Sequence, residues 1–125
     1  MADKYLKLND IDAYKISFHL SNYVWDIIIE WKPFVQRTVG EQFVRAVDSI
    51  SANIAEGFGR YFKKDKIKFF KYSHGSIKES LDWNEKSRIR RLLTNEQYQF
   101  IYTELQKLPE ATNRLIKFTN AKLNK

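Results

Sequence analysis

The sequence predicts an all-α protein, an antiparallel up-down-up-down four-helix bundle, and three observations lead there. Apolar residues recur at intervals of three and four along most of the 125 residues, the period of helices buried on one face. Alternating apolar and polar runs between paired turn residues, which would mark strands, are absent. Proline, glycine and capping residues divide the chain into four long segments with short connections, and short connections place successive helices antiparallel.

The elements follow in order. Residues 1–10 read as an N-terminal extension and 11–125 as one four-helix domain. The first helix runs roughly from Ile11 to Lys32 and stops before Pro33, which disfavours helical geometry in the residue before it. A loop, Pro33 to Thr38, leads to a second helix from about Val39 to Glu56. Within it Phe43, Val47, Ile50 and Ile54 fall on one line, and Gly57 stands where a left-handed cap is wanted. The third helix, about Lys64 to Leu92, sets Ile67, Phe70, His74, Ile77 and Leu81 on one face. Thr94 and Gln97 form a capping-box pattern that opens the fourth helix. Its apolar line is Tyr98, Ile101, Leu105, Leu108, Leu115 and Phe118, with a kink expected at Pro109.

The first helix carries more apolar surface than a bundle needs. Tyr14, Phe18, Trp25 and Ile28 make one stripe, and Ile16, Leu20, Tyr23, Val24, Ile27 and Trp31 make another. An outer helix requires only one. Either copies of the chain associate through the second stripe, or the helix lies centrally with its extra face beneath the fourth. Self-association is the reading adopted, because a wet stripe of this size exceeds what monomers tolerate. Burying each large side chain gains roughly 1.5–3 kcal/mol.

Composition limits the function classes. Apolar residues at 43%, aromatics at 15% and charged residues at 30% describe a globular chain. With no cysteine there are no disulfides, thiolate metal sites or thiol chemistry, which suits a reducing cytoplasm. No run approaches the ~20 apolar residues of a membrane span, and the N-terminus lacks the apolar centre of a signal peptide. A cytoplasmic protein without a membrane partner is expected. The net charge of +7 sits in one segment: residues 57–91 hold eleven basic and four acidic side chains, and the remainder balances. A local excess of this kind suits an anionic partner.

Catalytic signatures are missing. No glutamate lies three residues before His19 or His74, as di-iron bundles require, and no Arg or Asn precedes either histidine at the spacing of helical ribonucleases. The four glycines form no phosphate-cradling loop. A non-enzymatic protein is expected, with no catalytic residue, metal ligand or cofactor assigned.

Three groups of residues carry the functional expectations. Lys64, Lys68, Lys71 and Lys78 share one side of the third helix, with Arg60, Lys63, Lys66, Arg88, Arg90 and Arg91 around them and Phe69, Tyr72 and Trp83 alongside. Lysines interleaved with aromatics suit a sequence-tolerant strand binder, with ammonium groups on phosphates and rings for stacking. They equally suit a solvated helix face whose rings belong to the core. On the second helix Arg45, Ser49, Asn53 and Glu56 form a polar line opposite the apolar one. That line reads as a solvated face, as a buried structural network closed by Glu79, or as a catalytic constellation. The apolar stripe Ile16, Leu20, Tyr23, Val24, Ile27 and Trp31 is the expected oligomer interface.

The strings Arg45-Ala46, Ser49-Ile50, Ala52-Asn53-Ile54-Ala55-Glu56-Gly57-Phe58-Gly59-Arg60 and His74-Gly75-Ser76-Ile77-Lys78-Glu79 resemble the 23S rRNA intervening-sequence-encoded proteins. This bacterial family, also described as four-helix bundle proteins, is related to the accessory variability determinant of diversity-generating retroelements. The resemblance covers roughly residues 12–120. It implies a four-helix protomer that assembles into a homopentamer and associates with RNA or DNA. It also implies, as the alternative, an oligomeric scaffold or accessory subunit for a protein partner such as a reverse transcriptase. Gly75 and Ser76, small enough for helices to approach closely, favour the structural network among the readings of the polar line.

Overall fold

The computed structural model describes residues 7–124, which hold four long helices: α1 (Asp12–Ile28), α2 (Glu41–Gly59), α3 (Lys63–Ile89) and α4 (Asn95–Lys122). Of the expected extension, residues 1–6 lie outside the described residues. Leu8–Asp10 make a 3₁₀ turn whose Leu8 packs against the core. The helices form a closed circuit in which α1 and α3 each pack on α2 and on α4. Cross-helix contacts run antiparallel. Between α3 and α4, Asn84 meets Tyr98 while His74 meets Asn113. Between α1 and α4, Trp31, just beyond α1, reaches Leu92 while Tyr23 and His19 meet Phe100.

The first connection differs from the expected loop. α1 ends at Ile28, and after Lys32 the chain is already helical: a turn at Pro33–Val35, a π turn at Gln36–Gly40, then α2 without a break. Pro33 takes the first helical position, where its missing N–H costs nothing and its fixed φ is helical. Gln36 then reaches back, and its Nε2 donates to the carbonyls of Ile28 and Ile29 at 3.1 and 3.0 Å. Two of the carbonyls that a helix end leaves open are thereby satisfied.

Gly57 is not the left-handed cap of α2. The helix continues to Gly59, and no glycine has positive φ among the described residues. Gly57 is buried, and a Cβ there would stand 2.7 Å from the Phe70 ring and 2.8 Å from the Lys66 carbonyl. It is glycine so that α2 and α3 can touch. The left-handed residue is Arg91, with φ 61° at the end of α3. There the Leu92 N–H bonds the Ser87 carbonyl at 2.8 Å and the Arg91 N–H bonds the Arg88 carbonyl at 3.0 Å, the Schellman pattern that closes a helix. The Thr94–Gln97 capping box forms as expected, with reciprocal bonds of 3.0 and 2.9 Å. α4 runs uninterrupted through Pro109, which can supply no amide to the Leu105 carbonyl.

Phe43, Val47, Ile50 and Ile54 of α2 are all buried, with Phe70 and Ile77 of α3 and Ile101, Leu105, Leu108 and Leu115 of α4 around them. Phe118 is exposed, and Thr119 takes the buried place in that turn. The two stripes of α1 divide differently from the expectation: the second stripe faces the core, and the first is split, with Ile28 buried and Tyr14 packed against the core. Leu20 and Val24 are 0% and 1% exposed core residues, and Ile16, Tyr23, Ile27 and Trp31 lie half-buried against the core. Phe18 and Trp25, from the stripe expected inside, are 52% and 51% exposed. The cause is α4 and the connection ahead of it, which lie over the second stripe: the Tyr23 and Phe100 ring centres are 4.3 Å apart at a tilt of 40°, and the Trp31 Nε1 donates to the carbonyl of Leu92, just before α4, at 3.1 Å.

Candidate nucleic-acid interface

The basic segment spans the C-terminal end of α2 and all of α3, and its charges are not equivalent. The Arg60 guanidinium bonds Glu56 at 2.7 Å and lies over the Phe69 ring at 4.5 Å. The Lys66 Nζ donates to the Phe58 carbonyl at 2.7 Å, closing the last turn of α2, and burial holds its pKa below the ordinary lysine value. Lys86 pairs with Asp82 at 2.7 Å. Arg88 pairs with Glu85, which also accepts from the Tyr98 hydroxyl at 2.9 Å. The bond from Arg88, then that from Tyr98, draws the Glu85 carboxyl below the usual carboxylate range. Each of these four cations already has a partner within the protomer.

Lys63, Lys64, Lys68, Lys71, Lys78, Arg90 and Arg91 enter no ion pair among the described residues. Lys64, Lys68, Lys71 and Lys78 are exposed on the side of α3 opposite Phe70, Ser73, Ile77 and Ser80, which face the core. Arg90 and Arg91 follow α3, roughly 40 Å from Lys64 at 1.5 Å per residue. The basic segment is thus drawn out along the whole length of α3, with Lys64 near one end and the arginines at the other. At the N-terminal end of α3 a groove of about 800 Å³ is lined by Phe62, Lys63, Lys64, Asp65, Ile67, Lys68, Lys71 and, from α4, Asn120.

The rings divide as well. Phe69 is half-buried beneath Arg60, and Trp83 is half-buried against the core with the Lys86 Nζ 4.6 Å from its centre. Tyr72 is exposed and meets Phe69 edge-on. Tyr61 and Phe62 were missed in the sequence reading, yet Tyr61 is 82% exposed and packs edge-on against Phe62. Their signal was their position: two aromatics between the end of α2 and the first lysine of α3, on no helix face that a core could cover.

With this geometry in place, the sequence matches the family described as 23S rRNA-intervening sequence protein over residues 9–114. The chain belongs to that family. No curated protein is significantly similar to it. Among solved structures it is similar to a protein of unknown function from the S23 ribosomal protein family of Bacteroides thetaiotaomicron VPI-5482. The two share 20% identity with a TM-score of 0.74, over 84% of this chain and 98% of that one. At that identity the likeness speaks for the four-helix fold.

In this intervening-sequence family member the polar line of α2 does not form a closed network within the protomer. The Ser49 Oγ donates to the Arg45 carbonyl at 2.7 Å, and the Asn53 Nδ2 donates to the Ser49 carbonyl at 2.9 Å, both within one helix. Arg45 and Glu56 are exposed, and Glu79 is exposed on α3. A Cβ on Gly75 would meet nothing within 4 Å, so this glycine admits no close helix inside the protomer. His74 is held by Asn113, with the Nε2 3.1 Å from its Oδ1.

A second groove, of about 590 Å³, lies between α1 and α2, lined by Trp25, Ile28, Ile29, Gln36, Gly40, Glu41, Val44, Arg45, Asp48, Ser49 and Ala52. Asp48 on its wall is exposed, and partial desolvation of its carboxyl raises the pKa above the ordinary carboxylate value. Exposed Phe18, Trp25, Ile29 and Phe34 stand on this side of the molecule or next to it in the chain. Leu20 and Val24 cannot serve as an interface, since the protomer already encloses them. Among the described residues no helix is long and apolar enough to cross a membrane.

Proposed function

We propose that this protein is a non-enzymatic, self-associating bundle that binds the phosphate backbone of RNA or DNA with little sequence selectivity. One observation carries the reading. Lys64, Lys68, Lys71 and Lys78 share an outward face with no carboxylate partner among the described residues, while the neighbouring Arg60, Lys66, Lys86 and Arg88 are engaged in the fold. Ammonium groups left free in this way release counterions when they meet phosphates. The sequence carries no base-reading motif, which supports contact with the backbone and weak sequence selectivity. The family resemblance supports the same partner and implies five copies, which would repeat the lysine face around a ring.

A second reading, an oligomeric scaffold or accessory subunit for another protein, draws on the apolar groove between α1 and α2 and the exposed rings beside it. Self-association accounts for the same surface, since rings and groove belong to one chain and a second copy can supply the complement of each. Salt titration of binding to a labelled RNA separates the two. With about four phosphates engaged, the slope of log affinity against log salt is about −3 to −4. Charge reversal at Lys64, Lys68 and Lys71 abolishes binding and leaves the subunit number unchanged. Binding that ignores both salt and these substitutions leaves only the scaffold.

A further inference from the structure

We propose that the basic surface at the start of α3 takes single-stranded nucleic acid in preference to duplex, with bases stacked on Tyr61 and Tyr72, which flank the groove in sequence, while Lys64, Lys68 and Lys71 hold phosphates. The inference rests on the phosphate-binding reading and deepens it by naming the form of the ligand. Beside these rings the groove brings lysines and apolar surface together: Phe62 and Ile67 lie among Lys63, Lys64, Lys68 and Lys71, whose four cations outnumber the single carboxylate, Asp65, and Asn120 completes the lining. A purely electrostatic site has no use for such a floor. Tyr61 is 82% exposed, and Phe62 and Tyr72 are each half exposed, so three rings stand in water within the most basic part of the chain.

The edge-on contacts explain how the rings are held. Tyr61 meets Phe62 at 4.9 Å and 87°, and Tyr72 meets Phe69 at 5.3 Å and 85°. Phe69 is in turn fixed beneath the Arg60 guanidinium, which Glu56 anchors. Edge-on packing fixes a ring while leaving aromatic surface open to solvent, as a stacking platform requires. A duplex offers phosphates but keeps its base faces stacked inside, so it would gain nothing from these rings. A single strand offers both phosphates and bases. Each base stacked on an aromatic side chain is worth about 1–3 kcal/mol by alanine substitution, with little dependence on sequence.

The test is fluorescence anisotropy with a labelled oligothymidylate of about 16 nucleotides and a duplex of the same length, at one fixed salt concentration. The single strand is expected to bind at least about tenfold more tightly than the duplex. Tyr61→Ala and Tyr72→Ala each weaken the single strand by about tenfold and leave the duplex unchanged, and Tyr61→Phe restores binding. Lys68→Glu weakens both ligands. Both tyrosines are exposed, so the variants keep the fold, which circular dichroism confirms. Equal affinity for strand and duplex, with the tyrosine variants silent, overturns the stacking inference and leaves phosphate binding standing. Failure to bind either ligand overturns both.

Discussion

Gly57 and Gly75 are both helical glycines, and their surroundings give them opposite consequences. At Gly57 a methyl group would press on the Phe70 ring and the Lys66 carbonyl, both under 3 Å away. Phe70 is itself buried and cannot swing aside, so Gly57→Ala forces α2 and α3 apart. Overpacking of this kind costs about 1–3 kcal/mol. Gly75 sits mid-helix in α3 with open space where a Cβ would go, and Gly75→Ala gains about 1 kcal/mol from helix propensity alone. Urea unfolding of the two variants checks this. Similar shifts in the same direction would show that the α2–α3 contact is looser than described.

At the scale of elements, the α1–α2 groove makes a pH-dependent prediction through Asp48. Asp48 is exposed, and partial desolvation of its carboxyl against the groove raises its folded-state pKa above the ordinary 3.8, so the folded protein holds this proton somewhat more tightly than the unfolded chain does. The associated stability is fully present below the unfolded value and is lost as pH rises through the folded one. Asp48→Asn therefore raises the urea midpoint at neutral pH, and the gain disappears in acid below the ordinary carboxylate pKa. A gain independent of pH would assign the effect to something other than the charge. The helices that bound this groove were largely legible in the sequence. The buried line Phe43, Val47, Ile50, Ile54 and the Thr94–Gln97 cap are local patterns, fixed by helical period and by reciprocal amide bonds. The connection at 33–40 was not, because Pro33 reads as a helix stop and only the Gln36 bond to the end of α1 shows it to be a start. The lysine face was likewise visible as a spacing on α3. Lys66, Arg60 and Arg88 were counted with it, since a side chain's partner is set by packing that periodicity does not encode.

For the whole molecule, the proposed self-association turns on which side of α1 would meet another copy. Two apolar stripes on one helix leave the choice open, since both are greasy and only the position of α4 distinguishes them. With α4 over Tyr23 and Trp31, the free surface is the one bearing Phe18, Trp25 and Ile29, continued by Phe34 ahead of α2. Association over this surface would bury exposed apolar side chains, each contributing up to roughly 1.5–3 kcal/mol when fully buried. Trp25 is half exposed, so Trp25→Glu places a charge on that surface and, on the proposed self-association, is expected to give a monomer while the thermal transition remains cooperative. Trp31→Phe has the reverse signature. It removes the Nε1 bond to the Leu92 carbonyl and costs about 1 kcal/mol of stability, with the assembled mass unchanged. Light scattering and thermal unfolding of both variants read the two effects separately. A monomer from Trp31→Phe, with Trp25→Glu still assembled, would return the interface to the stripe that α4 covers. It would then require α4 to move aside when copies meet.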